Sequence, residues 1–193
     1  MIQEIKSTKS LINCLRTEIE DEGINVEIDN KIKEEQLAII KVDDYYNGLH
    51  IAKPPKAIDD LVVVDCECDW YVLYLLELKN VNSSKGLVTR DIQEKFENTI
   101  KKFMEEDFSN IFLKSKYKYR EIFLYLVSDA YGLGKNYESY EEYKKVNDKK
   151  SKAGKKDSLK IEVSLGSKLF RFGKRILRIS YEIPPNPLIR RYL

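Results

Sequence analysis

The sequence predicts an α/β fold, an α+β arrangement on one mixed sheet. Its elements run in the order α-β-β-β-α-β and end in a β-rich basic C-terminal extension. Three observations carry this reading. Leu61 to Val64 and Tyr71 to Lys79 are apolar runs rich in Val, Leu and Tyr, separated by the polar Cys66-Glu67-Cys68-Asp69, which reads as a hairpin connection. Thr89 to Phe108 places Ile92, Phe96, Ile100 and Phe103 on one helical face. Tyr119 to Val127, YREIFLYLV, is a further buried strand closing on Ser128-Asp129.

In chain order, Ser7 to Glu22 is expected to be the first helix. Ser7 or Thr8 would cap it, Leu11, Leu15 and Ile19 recur every four residues, and Gly23 would end it, with Glu18 and Glu22 near the apolar edge. Asn25 to Ile28 and Gln36 to Val42 have strand-like patterns, the second being the better first core strand. Asp43 to Gly48 reads as a turn, His50 as a loop residue, and Pro54-Pro55 breaks the chain before Asp59. Asn80 to Gly86 is a polar loop, and Thr89 is the expected cap of the long helix. Between Lys144 and Lys160 the sequence holds eight lysines against two aspartates, which predicts a loop over about 144–158. From Leu159 to Leu193 the alternation IEVSLGSKLFRFGKRILRISYEI predicts a β-hairpin, closed by the turn at Pro184 to Pro187.

At 193 residues and 42% hydrophobic composition, one domain spanning 1–193 is expected, its core at about 7–130. Basic and acidic residues nearly balance, 34 against 32, so net charge alone implies no polyanion partner and the distribution must decide. No apolar run approaches the ~20 residues of a membrane helix, so no membrane partner and a soluble, cytoplasmic protein are expected. Cys14, Cys66 and Cys68 are an odd set suited to reduced thiols, and a zinc site would need about four ligands where His50 is the only histidine.

The informative cluster lies between Pro54 and Asn80. Asp59 and Asp60 open one strand, and Glu77-Leu78-Lys79 closes the next; alternation puts Glu77 and Lys79 on one face and Leu78 on the other. As antiparallel neighbours, the two strands bring these acidic ends together. The pattern resembles the PD-(D/E)XK nuclease superfamily, with an acidic residue at the start of one strand and Glu-X-Lys in the next. The resemblance implies a restriction-endonuclease-like core and Mg²⁺, with Mn²⁺ as substitute, held by Asp59 or Asp60, Glu77 and the Leu78 backbone carbonyl. It implies Lys79 beside the attacking water as a catalytic residue, and in some members a glutamate of the first helix, here Glu18, joins the site. Asp59 is preferred because its one-residue offset keeps Leu61 to Val64 in the sheet, though Asp60 fits the pattern too.

DNA is the implied substrate, with a type II restriction endonuclease as the first role. A repair or recombination nuclease of the Holliday-junction type, or an inactive nucleic-acid-binding subunit of a defence complex, are the alternatives. Cutting both strands takes two active sites, hence an expected homodimer. Lys149, Lys150, Lys155 and Lys156 are the expected phosphate contacts. Against all this stands an ordinary ion pair at a strand end, worth ~0–1 kcal/mol if exposed.

Overall fold

A computed structural model describes residues 1–81, 83–152 and 160–192. The β-rich runs become the centre of a six-stranded sheet of order β1-β4-β5-β6-β7-β10. Its strands are β1 (Leu15–Arg16), β4 (Leu37–Lys41), β5 (Asp60–Asp65), β6 (Trp70–Leu78), β7 (Lys118–Val127) and β10 (Ile179–Glu182). Neighbours from β1 to β6 are antiparallel, whereas β7 is parallel to both β6 and β10. That switch needs a crossover, supplied between β6 and β7 by α3 (Thr89–Asn98).

Alternation sorts the sheet into two layers. Leu61, Val63, Leu73 and Leu75 pack in the larger cluster with α1 (Ile2–Ser7), α3 and α6 (Lys160–Gly166) through Ile5, Phe96 and Leu165. Val62, Val64, Val72, Tyr74, Leu76 and Leu78 face the other way, against the hairpin of β2 (Ile19–Asp21) and β3 (Ile24–Val26) and against Ile189. Each fully buried aliphatic side chain contributes ~1.5–3 kcal/mol, so a register slip that exchanged the layers would be prohibitive.

Several elements differ from the sequence expectation. Ser7 to Glu22 is not one helix: α1 ends at Ser7, a 3-10 segment covers Lys9–Cys14, and β1 and β2 follow. The four-residue recurrence is real but split, since Leu11 is buried by the 3-10 segment while Ile19 pairs with Val26 across a hairpin. Gly23, at φ 79°, turns that hairpin rather than ending a helix. Asp43 to Gly48 is not a turn but helix α2 (Val42–Gly48), which buries Val42 and Tyr46 four residues apart and carries Asp43 and Asp44 in its first turn.

Thr89 does not cap α3: Val88 is the cap residue, its carbonyl accepting the Asp91 and Ile92 N–H groups. Beyond Asn98 the same apolar face continues in π-helical turns, Thr99–Asp107, followed by α4 (Ser109–Phe112). In the C-terminal part the IEVSL alternation is helical, because Ile161 and Leu165 are buried while Val163 between them is 70% exposed. The expected β-structure begins later, with the hairpin β8 (Phe170–Phe172) and β9 (Arg175–Leu177). The predicted lysine loop likewise begins as helix α5 (Tyr140–Lys152), since Tyr140, Tyr143 and Asn147 share a buried stripe. Lys149 is exposed on α5, Lys150 lies in its last turns, and Lys155 and Lys156 fall outside the described residues. No described helix is long and apolar enough to cross a membrane.

Candidate active site

The β5–β6 register pairs Asp60 with Leu76, so Asp59, one residue earlier, stands opposite Glu77. Three contacts fix its backbone and carboxylate. The Val42 N–H donates to the Asp59 carbonyl (2.9 Å), the Leu78 N–H donates to Asp59 Oδ2 (2.7 Å), and the neighbouring Ile58 N–H donates to Thr99 Oγ1 (3.2 Å) at the start of the π-helical turns. Asp59 is 2% and Glu77 0% exposed, so both carboxylates stand at the rim of the helix-covered layer rather than in solvent.

Two ammonium groups meet Glu77 Oε1: Lys95 Nζ at 2.7 Å and Lys79 Nζ at 3.2 Å. Lys95 also lies 3.7 Å from Asp59 Oδ1, while Glu77 Oε2 is buried with no hydrogen-bond partner. The backbone of Lys79 is held by Val127 and Ser128, its N–H donating to the Val127 carbonyl (3.0 Å) and its carbonyl accepting from Ser128 Oγ (2.6 Å). Sequence reasoning missed Lys95. A signal existed, because it follows Ile92 by three residues and precedes Phe96, on the flank of the stripe that α3 turns to the sheet.

Burial raises the Glu77 carboxyl to about 7; the Asp59 charge adds to the rise and Lys95 and Lys79 oppose it. For Lys79, burial acts downward, but Glu77, Asp59 and Glu22 outweigh it and the ammonium is held above its ordinary value. Glu22 thus belongs to the charge environment of the site, its carbonyl accepting from Asn80 Nδ2 (2.8 Å). Glu18, by contrast, is exposed in the bend between β1 and β2. His50 is exposed after α2 with φ 52°.

Asp60 lies on the opposite face, with Leu76 and Leu78. Its register partner is Lys41, which donates to Asp21 Oδ1 (3.0 Å). At 1% exposure and with Oδ2 unpartnered, Asp60 is pushed by burial to about 8, Lys41 opposing the shift and Asp59, Asp43 and Asp21 adding to it. The two aspartates are therefore not interchangeable: the geometry groups Asp59, not Asp60, with Glu77, Lys79 and Lys95.

The site opens into a pocket of about 330 Å³ lined by Lys56, Glu77, Lys79, Gly86, Leu87, Val88, Asp91, Ile92 and Lys95. Gly86, Leu87 and Val88 line it on one side, and a Cβ at Gly86 would meet Val81 Cγ1 at 2.9 Å, so that Val81 would have to shift. A larger cavity of about 570 Å³, bordered by Leu15, Ile28, Ile32 and Leu37, lies on the β1–β4 side and gathers neither Glu77 nor Lys79.

Among the described residues no three acidic, histidine or cysteine side chains form a ready cation cage. Asp59 and Glu77 nevertheless fit a hard divalent ion that keeps most of its waters and takes one or two carboxylates. Glu77 Oε2 is an orphaned buried acceptor, and the Leu78 carbonyl faces the same strand edge as its N–H, toward Asp59. Compared with known proteins, the chain matches no family model, and no curated protein or solved structure matches it significantly.

Proposed function

We propose that this pocket is the active site of a metal-dependent endonuclease that hydrolyses phosphodiester bonds in DNA. The observation that carries the reading is the convergence of Asp59 and Glu77 with two lysines beside a pocket that Glu77, Lys79 and Lys95 line, one buried carboxylate oxygen being left without a partner.

Asp59 and Glu77, with the Leu78 carbonyl, would hold Mg²⁺ or, in its place, Mn²⁺. When bound, such an ion supplies Lewis-acid polarisation of a phosphoryl oxygen and a water of lowered pKa. Lys79 is held as an ammonium, so it acts by donating to phosphate oxygens as their charge grows rather than by taking a proton. Lys95 holds the Glu77 carboxylate in place from α3. Val88 and Leu87 form an apolar lip that limits water around the reacting phosphate.

Type II restriction by a homodimer is the role proposed first, with junction cleavage in repair or recombination second. An inactive nucleic-acid-binding subunit is a third reading, favoured by one feature: Lys79 and Lys95 already balance the charges of Asp59 and Glu77. The test is incubation of the protein and its Glu77→Ala variant with plasmid, four-way junction and RNA, with and without Mg²⁺. Mg²⁺-dependent plasmid fragments, absent in the variant, are expected. Selective junction nicking would move the role to recombination, and binding without cutting would leave only the inactive module.

A further inference from the structure

We propose that the β7 side of one sheet face, together with Trp70 at the start of β6, is a binding platform for single-stranded nucleic acid, separate from the pocket. This face is the layer that contains Val72, Tyr74 and Leu76, opposite the layer that holds Glu77. Its buried cluster is built from strand residues and loop and C-terminal segments, and four aromatic rings, Trp70, Phe123, Tyr125 and Tyr192, remain only half-buried upon it. Phe123 stacks with Tyr125 at 5.7 Å between centroids and lies 5.6 Å from Tyr192.

Cations are interleaved with these rings. Lys118 Nζ stands 5.4 Å and the Arg120 guanidinium 5.3 Å from the Trp70 ring centre, and Arg190 stands 5.0 Å from that of Tyr192. The register explains the first pair. Trp70 is opposite Lys118, but Tyr71 pairs with Tyr119 and Val72 with Glu121, so Arg120 is the extra residue of a bulge and is redirected onto the same ring. All three cations are exposed.

Rings that offer π-surface, with cations ~5 Å from them, are the chemistry that holds bases and phosphates together without reading sequence. A partner protein's apolar face would leave Lys118, Arg120 and Arg190 desolvated, whereas a phosphodiester chain pairs them. Phe123, the register partner of Tyr74, stands four residues along the strands from Trp70, ~13 Å, a span of a few nucleotides of single strand. Glu121 lies exposed between the two groups of rings and opposes the ligand's charge.

Trp70 is the chain's single tryptophan, so its fluorescence reports this face alone. The experiment titrates the full chain with a twelve-nucleotide oligothymidylate in EDTA, where metal-dependent cutting plays no part and its failure would not affect the result. A saturable quench is expected. By anisotropy of a labelled oligonucleotide, Trp70→Ala should weaken binding ~10-fold. Arg120→Gln should reduce the log-affinity against log-salt slope by ~0.7, and Glu121→Gln should bind a few-fold tighter. If Trp70→Ala fails to fold, the Arg120 and Glu121 variants decide, since both keep the ring. Equal quenching by inorganic polyphosphate, tighter binding of a duplex of the same length, or quenching that follows protein concentration without oligonucleotide would each overturn the proposal.

Discussion

Glu77 is fully buried and touched by two ammonium groups, and those two lysines differ in their exposure. Lys79 reaches the pocket, its side chain 27% exposed, whereas Lys95 lies across both carboxylates at 20%. Lys79→Ala is therefore expected to lower DNA cleavage ~100-fold or more while leaving the melting curve and Ca²⁺ binding nearly unchanged. Retained cleavage would remove Lys79 from the mechanism. Lys95→Met should behave differently, because it leaves two buried carboxylates with one ammonium partner, Lys79. A loss of ~1–3 kcal/mol in urea unfolding with EDTA is expected, together with tighter Ca²⁺ binding by calorimetry, since an internal competitor for the same oxygens is gone. Unchanged stability and unchanged Ca²⁺ affinity would show that Lys95 does not hold the pair.

At the scale of elements, the β4–β5 contact contains a second charge group, Asp60 with Lys41 and Asp21, on the face away from the pocket. The Asp60 carboxyl is raised by burial from 3.8 to about 8, so the folded chain holds this proton more tightly than the unfolded chain does. The associated stability is complete below pH ~3.8 and is lost as pH climbs to ~8. Asp60→Asn should remove that slope, giving a gain over wild type larger at pH 8 than at pH 5 by ~2–4 kcal/mol. Urea midpoints across this range check it, and parallel curves would show that Asp60 titrates normally.

The same strand pair explains what was legible beforehand. β5, β6 and β7 are continuous Val, Leu, Ile and Tyr runs that no other element would bury, so their positions and the hairpin between β5 and β6 could be read directly. So could the grouping of Glu77 with Lys79, which needs only alternation along one strand. The first 22 residues could not be read this way. Leu11, Leu15 and Ile19 keep helical spacing, yet long-range pairing with β4 and β3 overrides it. Lys95 was hidden for a similar reason, because its partners come from two strands and only the packing of α3 on the sheet brings them together.

For the molecule as a whole, the sheet rim concentrates like charge. Asp59 and Glu77 are buried side by side at one strand end, and Asp60 is buried one residue away on the reverse face. Burial first, and the neighbouring carboxylates second, raise the Glu77 and Asp60 carboxyls, with Lys95 and Lys79 opposing the shift at Glu77 and Lys41 at Asp60. A divalent ion that binds only the folded chain should raise the melting midpoint, by a free energy of ~2.7 kcal/mol at one hundred times Kd. Ca²⁺ separates this from turnover. Asp59→Ala and Glu77→Ala should each abolish the Ca²⁺-dependent rise, and Glu77→Ala should also melt no lower than wild type in EDTA, because it removes a buried carboxyl with an orphaned oxygen. Asp60→Ala should keep the rise, since its carboxylate faces Lys41 and Asp21 across the sheet. The rise should also weaken below pH ~7, where Glu77 takes up a proton that the ion must displace. A full Ca²⁺ response in both the Asp59 and Glu77 variants would place the ion elsewhere and reduce the rim cluster to an internal ion-pair network closing the end of β6.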